Sequence, residues 1–181
     1  MSQKPKKVKL NSDDLRAVAG FACVCASASL SIFEAAFPDD RRARDAIEIA
    51  SAFAAGATRS KALRDAAWAG LRASSLAKEL NNFSAYEAAR AAVAAAGAAF
   101  LHPLFKATQV KHILGAAAHA ARALEIDGGG EGRIGSEQIA RFAKQASVAV
   151  IGVLRRYPPA PAGGGRVGEL MRELDGLLRG R

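Results

Sequence analysis

The chain has 181 residues, enough for one hydrophobic core and short for two. Half of it is apolar (50%) but only 6% is aromatic, so alanine carries the burial and stability must come from many small contacts between closely spaced helices. The formal net charge of +9 raises nucleic acid as a partner; the two cysteines exclude a disulfide scaffold, and the longest uncharged apolar run, Ala91 to Leu101, falls short of the roughly 20 residues that span a bilayer.

Residues 1–11 are polar and lysine-rich (Lys4, Lys6, Lys7, Lys9) with no apolar period, which predicts a mobile basic arm. A charged start followed by the apolar stretch Ala17 to Ala26 has the outline of an export signal. Asp13 and Asp14 interrupt it, and alanine and serine stand where leucine would be expected, so the stretch reads as a first core helix of a cytoplasmic protein. Ser12 offers a cap, and the helix runs through Leu15, Val18, Phe21, Ala22, Cys25, Leu30 and Phe33 until Pro38 stops it. Cys23 and Cys25 leave that helix about 200° apart and cannot bridge each other, so both read as reduced, buried thiols.

Asp39 and Asp40 restart the chain as a second helix carrying Ala43, Ile47, Ala50 and Phe53 to Gly56. A third follows Thr58, with Leu63, Ala66, Ala67 and Leu71 toward the core and Trp68 close to that stripe; Asn81 and Asn82 break it. Ser84 with Glu87 forms the pattern of a capping box, which opens an alanine-rich helix to about Ala98. His102-Pro103 marks a corner before a fifth helix from about Thr108 to Leu124. The glycine-rich break at 127–132 follows no strand, so it reads as a linker and not a phosphate-binding loop. A sixth helix covers about Ser136 to Arg156, and a Pro/Gly linker at 157–166 leads to a short amphipathic helix at 167–181 bearing Val167, Leu170, Met171, Leu174, Leu177 and Leu178. The expected architecture is all-α: a single-domain helical bundle or irregular stack of about six to seven helices, with residues 12–156 as its body.

Few constellations suggest chemistry. His112 and His119 share a helix face but stand roughly 10 Å apart along it, too far for one ion, and no HExxH, Glu-x-x-His or Cys–His cluster accompanies them. No nucleophile elbow is present, and carboxylates sit at helix starts or in pairs such as Arg44 with Glu48. The expectation is therefore no catalytic residue, no metal and no cofactor. The densest polar feature is Asp39-Asp40-Arg41-Arg42-Ala43-Arg44-Asp45, where the guanidinium forks either pair with internal carboxylates or meet a partner's acidic groups.

The order of the segments Phe33-Glu34-Ala35-Ala36-Phe37-Pro38-Asp39-Asp40-Arg41-Arg42-Ala43-Arg44-Asp45, Leu101-His102-Pro103-Leu104 and Lys111-His112-Ile113-Leu114-Gly115-Ala116-Ala117 resembles bacterial immunity proteins of polymorphic toxin systems, over roughly residues 15–125. The resemblance implies a small cytoplasmic helical protein that neutralises a toxin by surface contact, without catalysis. It points to Asp39, Asp40, Arg41, Arg42, Arg44, Trp68, His102, His112 and His119 as candidate partner-binding or motif residues. Inhibitors of basic nuclease toxins tend to be acidic, so this basic chain suits an acidic partner better. The alternative is a nucleic-acid-binding accessory protein using Lys4 to Lys9, Arg41, Arg42, Arg155 and Arg156. No membrane partner is expected, and the C-terminal helix offers a route to a homodimer.

Overall fold

In the computed structural model, which describes residues 6–181, Asn11 rather than Ser12 opens the first helix. Its side chain accepts from Asp14 N, and the Asp14 side chain accepts from Asn11 N in return, a reciprocal capping box. The helix α1 (Ser12–Ser27) does not continue to Pro38. It breaks at Ala28 and Ser29 and resumes as α2 (Leu30–Ala36), bent by 48°. Ser29 is buried there with its hydroxyl donating to Ala26 O, and the bend sets Phe33 fully inside.

The chain continues through α3 (Arg42–Ala54), α4 (Lys61–Glu79) and α5 (Phe83–Ala98). Asn82 caps α5 through Ala85 N, so the expected Ser84–Glu87 capping box does not form. An Asn one position ahead of the helix competes directly for the same amides, and it leaves the Glu87 carboxylate free for another partner. A short 3-10 turn (Ala107–Gln109) leads into α6 (Val110–Asp127), followed by α7 (Gly132–Gln145), α8 (Val148–Leu154) and α9 (Gly165–Arg179). The described residues thus form nine α-helices, against six or seven expected. The expected first and sixth helices are each divided, the sixth because Ala146 turns extended and Ser147 recaps the chain through Val150 N.

Helix α5 lies at the centre, packed against α1 to α4 on one side and α6 on the other. Ala85, Ala88, Ala89, Ala91, Ala92, Ala95, Ala96 and Ala98 are all buried, and a helix apolar over most of its circumference has to be largely enclosed. Small side chains let neighbouring backbones approach. At Gly70 of α4 a Cβ would stand 3.0 Å from Val93 Cγ2 of α5, so the helices sit close enough that even alanine there requires Val93 to shift. Among the described residues no single helix is long and apolar enough to cross a membrane, and the bent α1–α2 pair turns one apolar face, including Val18, Ala22, Cys25 and Phe33, into the core.

On the far side of α6 lie α7 and α9, with α8 against α1. Leu170, Met171, Leu174 and Leu178 of α9 are buried, so the apolar side of this amphipathic helix is spent on the chain's own core and only Leu177 stays exposed. A buried charge cluster staples this layer. Glu125, 1% exposed, accepts from Arg122 and from Arg166 at 2.8 Å, and Arg166 also reaches Gly132 O at 2.8 Å. The segment expected as a linker is held as well: Tyr157 is buried with its hydroxyl donating to His102 O, and Arg179 donates to Leu154 O and Pro158 O.

The described part of the N-terminal arm is also pinned. Lys7 bridges Leu104, Val8 is buried, and Val8 N donates to Pro103 O at 3.0 Å. Arg156 ties Lys9 O to the Asp14 carboxylate. Lys4 and the rest of residues 1–5 lie outside the described residues.

Candidate functional site

The charges of the Asp39–Asp45 segment close on one another. Asp40 accepts from the Arg42 backbone at 3.0 Å and from its guanidinium at 2.5 to 3.1 Å, so it serves as both cap and counter-ion at the start of α3. The Arg42 guanidinium holds the Asp40 carboxyl below its ordinary range. Arg44 does not pair with Glu48 as its i, i+4 spacing suggests. It reaches across to Glu34 of α2 in a two-pronged contact at 2.6 and 2.8 Å, because the guanidinium fork matches both carboxylate oxygens there. Arg41 pairs instead with Asp45 and Glu48, and Asp39 is exposed.

Trp68 is not close to the core. The inner face of α4 is Leu63, Ala66, Gly70, Ala73, Ser74 and Ala77; Leu71 is half-buried, and Trp68 is 59% exposed on the outer face. Arg64, Trp68, Arg72 and Leu76 follow one another at four-residue steps, one ridge of the helix surface, and all four are exposed. Leu76 helps line a shallow hollow with Phe37, Pro38, Asp39 and Asp40. The fold therefore brings the Asp39–Asp40 turn and the Trp68 ridge to one side of the molecule. Leu80 and Phe83, 61% and 48% exposed, extend the apolar character at the α4–α5 corner.

The histidines divide. His102 is exposed at its corner, its backbone N bound to Gln109 and its carbonyl to Tyr157. His112 and His119 are half-buried and face a cavity of about 500 Å³ between α5, α6 and the start of α9. The Nδ1 of His112 stands 2.9 Å from Gly97 O; a carbonyl only accepts, so Nδ1 carries the proton. Burial holds this imidazole below its ordinary 6.5, in the neutral form. The Nδ1 of His119 lies 2.6 Å from Glu87 Oε2, a hydrogen-bonded dyad linking α5 and α6. Arg90 and Lys111 also line the cavity without an ion-pair partner among the described residues, and the buried Arg90 Nε has no acceptor.

No set of three metal-ligating side chains converges among the described residues. The cavity lining contains no serine, threonine or cysteine; its hydroxyl is the Tyr86 phenol, and the His119 imidazole is paired with Glu87. Cys23 and Cys25 are free and buried elsewhere, and desolvation pushes both thiols up, away from the reactive thiolate. What the arrangement can do is hold a charged group and pass a proton.

Sequence reasoning singled out His112 and His119 but missed Glu87, Arg90, Lys111 and the 161–164 wall. A signal was present: Arg90 is the only charged residue between Glu87 and Lys106, in a helix otherwise built of alanine. An isolated cation in such a helix is either a solvent-facing spacer or a ligand for something.

These features define an all-helical protein with a self-paired charged segment, an exposed aromatic ridge and a half-open cavity lined by both charged and apolar side chains. Residues 9–147 match the family described as Imm-5 like putative immunity protein, and the chain belongs to that family. No curated protein and no solved structure matches it. The match covers α1 to α7, so α8, the 155–164 segment and α9 lie beyond it.

Proposed function

We propose that this chain is a non-catalytic immunity protein that neutralises a cognate toxin in the bacterial cytoplasm by contact, using the Arg64–Trp68–Arg72–Leu76 ridge of α4 with the adjoining Asp39–Asp40 hollow. Family membership supports the partner-binding class. The observation that carries the choice of surface is Trp68, 59% exposed, set between two arginines. Tryptophan and arginine are the residue types that most often dominate interface energy, and leaving a large ring in water has no folding rationale. Arg64 and Arg72 select a partner with carboxylates facing them, in keeping with the net charge of +9.

The nucleic-acid alternative has no comparable support. Arg41, Arg42 and Arg156, three of its named cations, are committed to carboxylates of the chain itself. Co-expression with the toxin encoded by the neighbouring gene tests the reading. The wild-type chain restores growth and co-purifies with the toxin, while Trp68→Ala and Arg72→Glu lose both and melt within about 2 °C of wild type, as surface substitutions do. Full protection by the doubly substituted chain would overturn the surface, and no complex with the wild-type chain would overturn the function.

A further inference from the structure

The cavity between α5 and α6 gathers cations that no carboxylate of the described residues matches. Glu87 is its one carboxylate, and that group is held by His119 at 2.6 Å. Arg90, one turn along α5 from Glu87, is at the spacing that normally gives an ion pair, yet none forms. Its Nε is buried without an acceptor, and its terminal nitrogens, which remain accessible, make no hydrogen bond to the described residues. Lys111 adds a second unpaired cation from α6.

The third wall comes from outside the family match. Gly163, Gly164 and Gly165 all take left-handed conformations, with φ of 80°, 78° and 55°, and Gly163 and Gly164 bring bare backbone to the cavity. Glycine is required there, since a side chain at these φ values is strained. Gly164 is the N-cap of the 15-residue α9 and offers no side chain to its free amides, so the positive end of that helix is uncapped where it borders the cavity. Val93, Val167 and Met171 supply apolar lining beside these donors. A volume of about 500 Å³ lies in the range of small-molecule sites.

We propose that this cavity is a binding site for a small organic oxyanion, a phosphate or carboxylate head on an apolar body. The head sits on Arg90 with Lys111 and the α9 amides near it, and the apolar body lies against Val93, Val167 and Met171. The His119–Glu87 dyad fixes the imidazole and keeps the cavity's only carboxylate from neutralising Arg90. The proposal does not depend on the toxin-binding reading, because its residues and its assay are separate.

The test is calorimetric titration of the full chain at low salt with phenyl phosphate, benzoate, inorganic phosphate and benzyl alcohol. Saturable one-to-one binding of phenyl phosphate or benzoate is expected, with benzyl alcohol inert; the stronger of the two identifies the head group, and inorganic phosphate alone reports what the head contributes. Arg90→Met and Lys111→Met each weaken binding by at least about tenfold, the scale of one charge-assisted hydrogen bond. Arg141→Met, which removes an exposed cation outside the cavity, leaves it unchanged. Absence of saturable binding by every anionic probe, or affinity that survives Arg90→Met, would overturn the proposal. Should Arg90→Met fold poorly, Arg90→Lys serves in its place, keeping the charge while losing the fork.

Discussion

Around Asp39 to Asp45, each arginine meets a carboxylate: Arg41 meets Asp45 and Glu48, Arg42 meets Asp40, and Arg44 meets Glu34. Across the α5–α6 cavity, Arg90 and Lys111 meet none, and Glu87 is turned away to His119. The first region is the denser in sequence and the second is barely visible there. Their contrast teaches that a dense run of charge can be satisfied from within at a helix start, whereas unmatched cations gathered in a cavity leave that cavity positively charged. The buried Glu125 cluster stands with the first kind, since two arginines converge on one carboxylate.

Substitutions sharpen this division, beginning with the largest effect. Glu125→Ala leaves Arg122 and Arg166 without their shared counter-ion at a buried site and should cost about 3–5 kcal/mol in urea unfolding, the scale of breaking a buried pair. A loss below about 1 kcal/mol would mean the cluster is solvated and the contrast overstated. Asp40→Asn, at a partly exposed pair, should cost about 1 kcal/mol by the same measurement.

Acid separates the two regions by their titration. Burial lowers His112 below 6.5, so the unfolded chain takes up this proton before the folded one does. Its contribution to stability is complete above pH 6.5 and declines as pH falls through the folded value. Asp14 and Asp40, lowered below 3.8 by hydrogen bonds from Arg156 and Arg42, keep their contribution above pH 3.8 and lose it only as pH falls through their folded values. Melting temperature against pH should therefore show an early decline that His112→Gln removes and a later one that Asp40→Asn reduces. An early decline that persists in His112→Gln would assign it to another group. The smallest effect belongs to Arg90→Met, which removes a cation with no partner and should change stability by no more than about 0.5 kcal/mol. A large loss would show that Arg90 is structural and would place the cavity in the paired class.

The helix order was legible because each helix repeats apolar residues at helical spacing and is bounded by a Pro, Gly or Asn signal. Two breaks were not legible. At Ala28–Ser29 and at Ala146–Ser147 the residues are all compatible with a continuing helix, and the turn is decided by where Phe33 and Val150 must be buried. Likewise S-x-x-E at Ser84–Glu87 is a sound capping pattern, yet Asn82 took the amides and Glu87 found His119, thirty-two positions away. The site was half legible. His112 and His119 were visible as a pair on one face, but Arg90, Lys111 and the glycines of α9 approach them only through the packing of three helices.

The sequence by itself determined the helical class, the alanine-rich centre, the unbridged cysteines and the dense Asp39–Asp45 segment, because periodicity, capping and composition act over a few residues. Tertiary structure alone decided that Arg44 pairs with Glu34, that Trp68 faces outward, that the C-terminal helix docks on α6 and α7, and that an unpaired arginine borders a cavity. Each of these depends on which helix faces meet, and a chain of interchangeable alanine faces does not fix that locally. It is fixed by the sum of close contacts, in which a few large or charged side chains choose the arrangement.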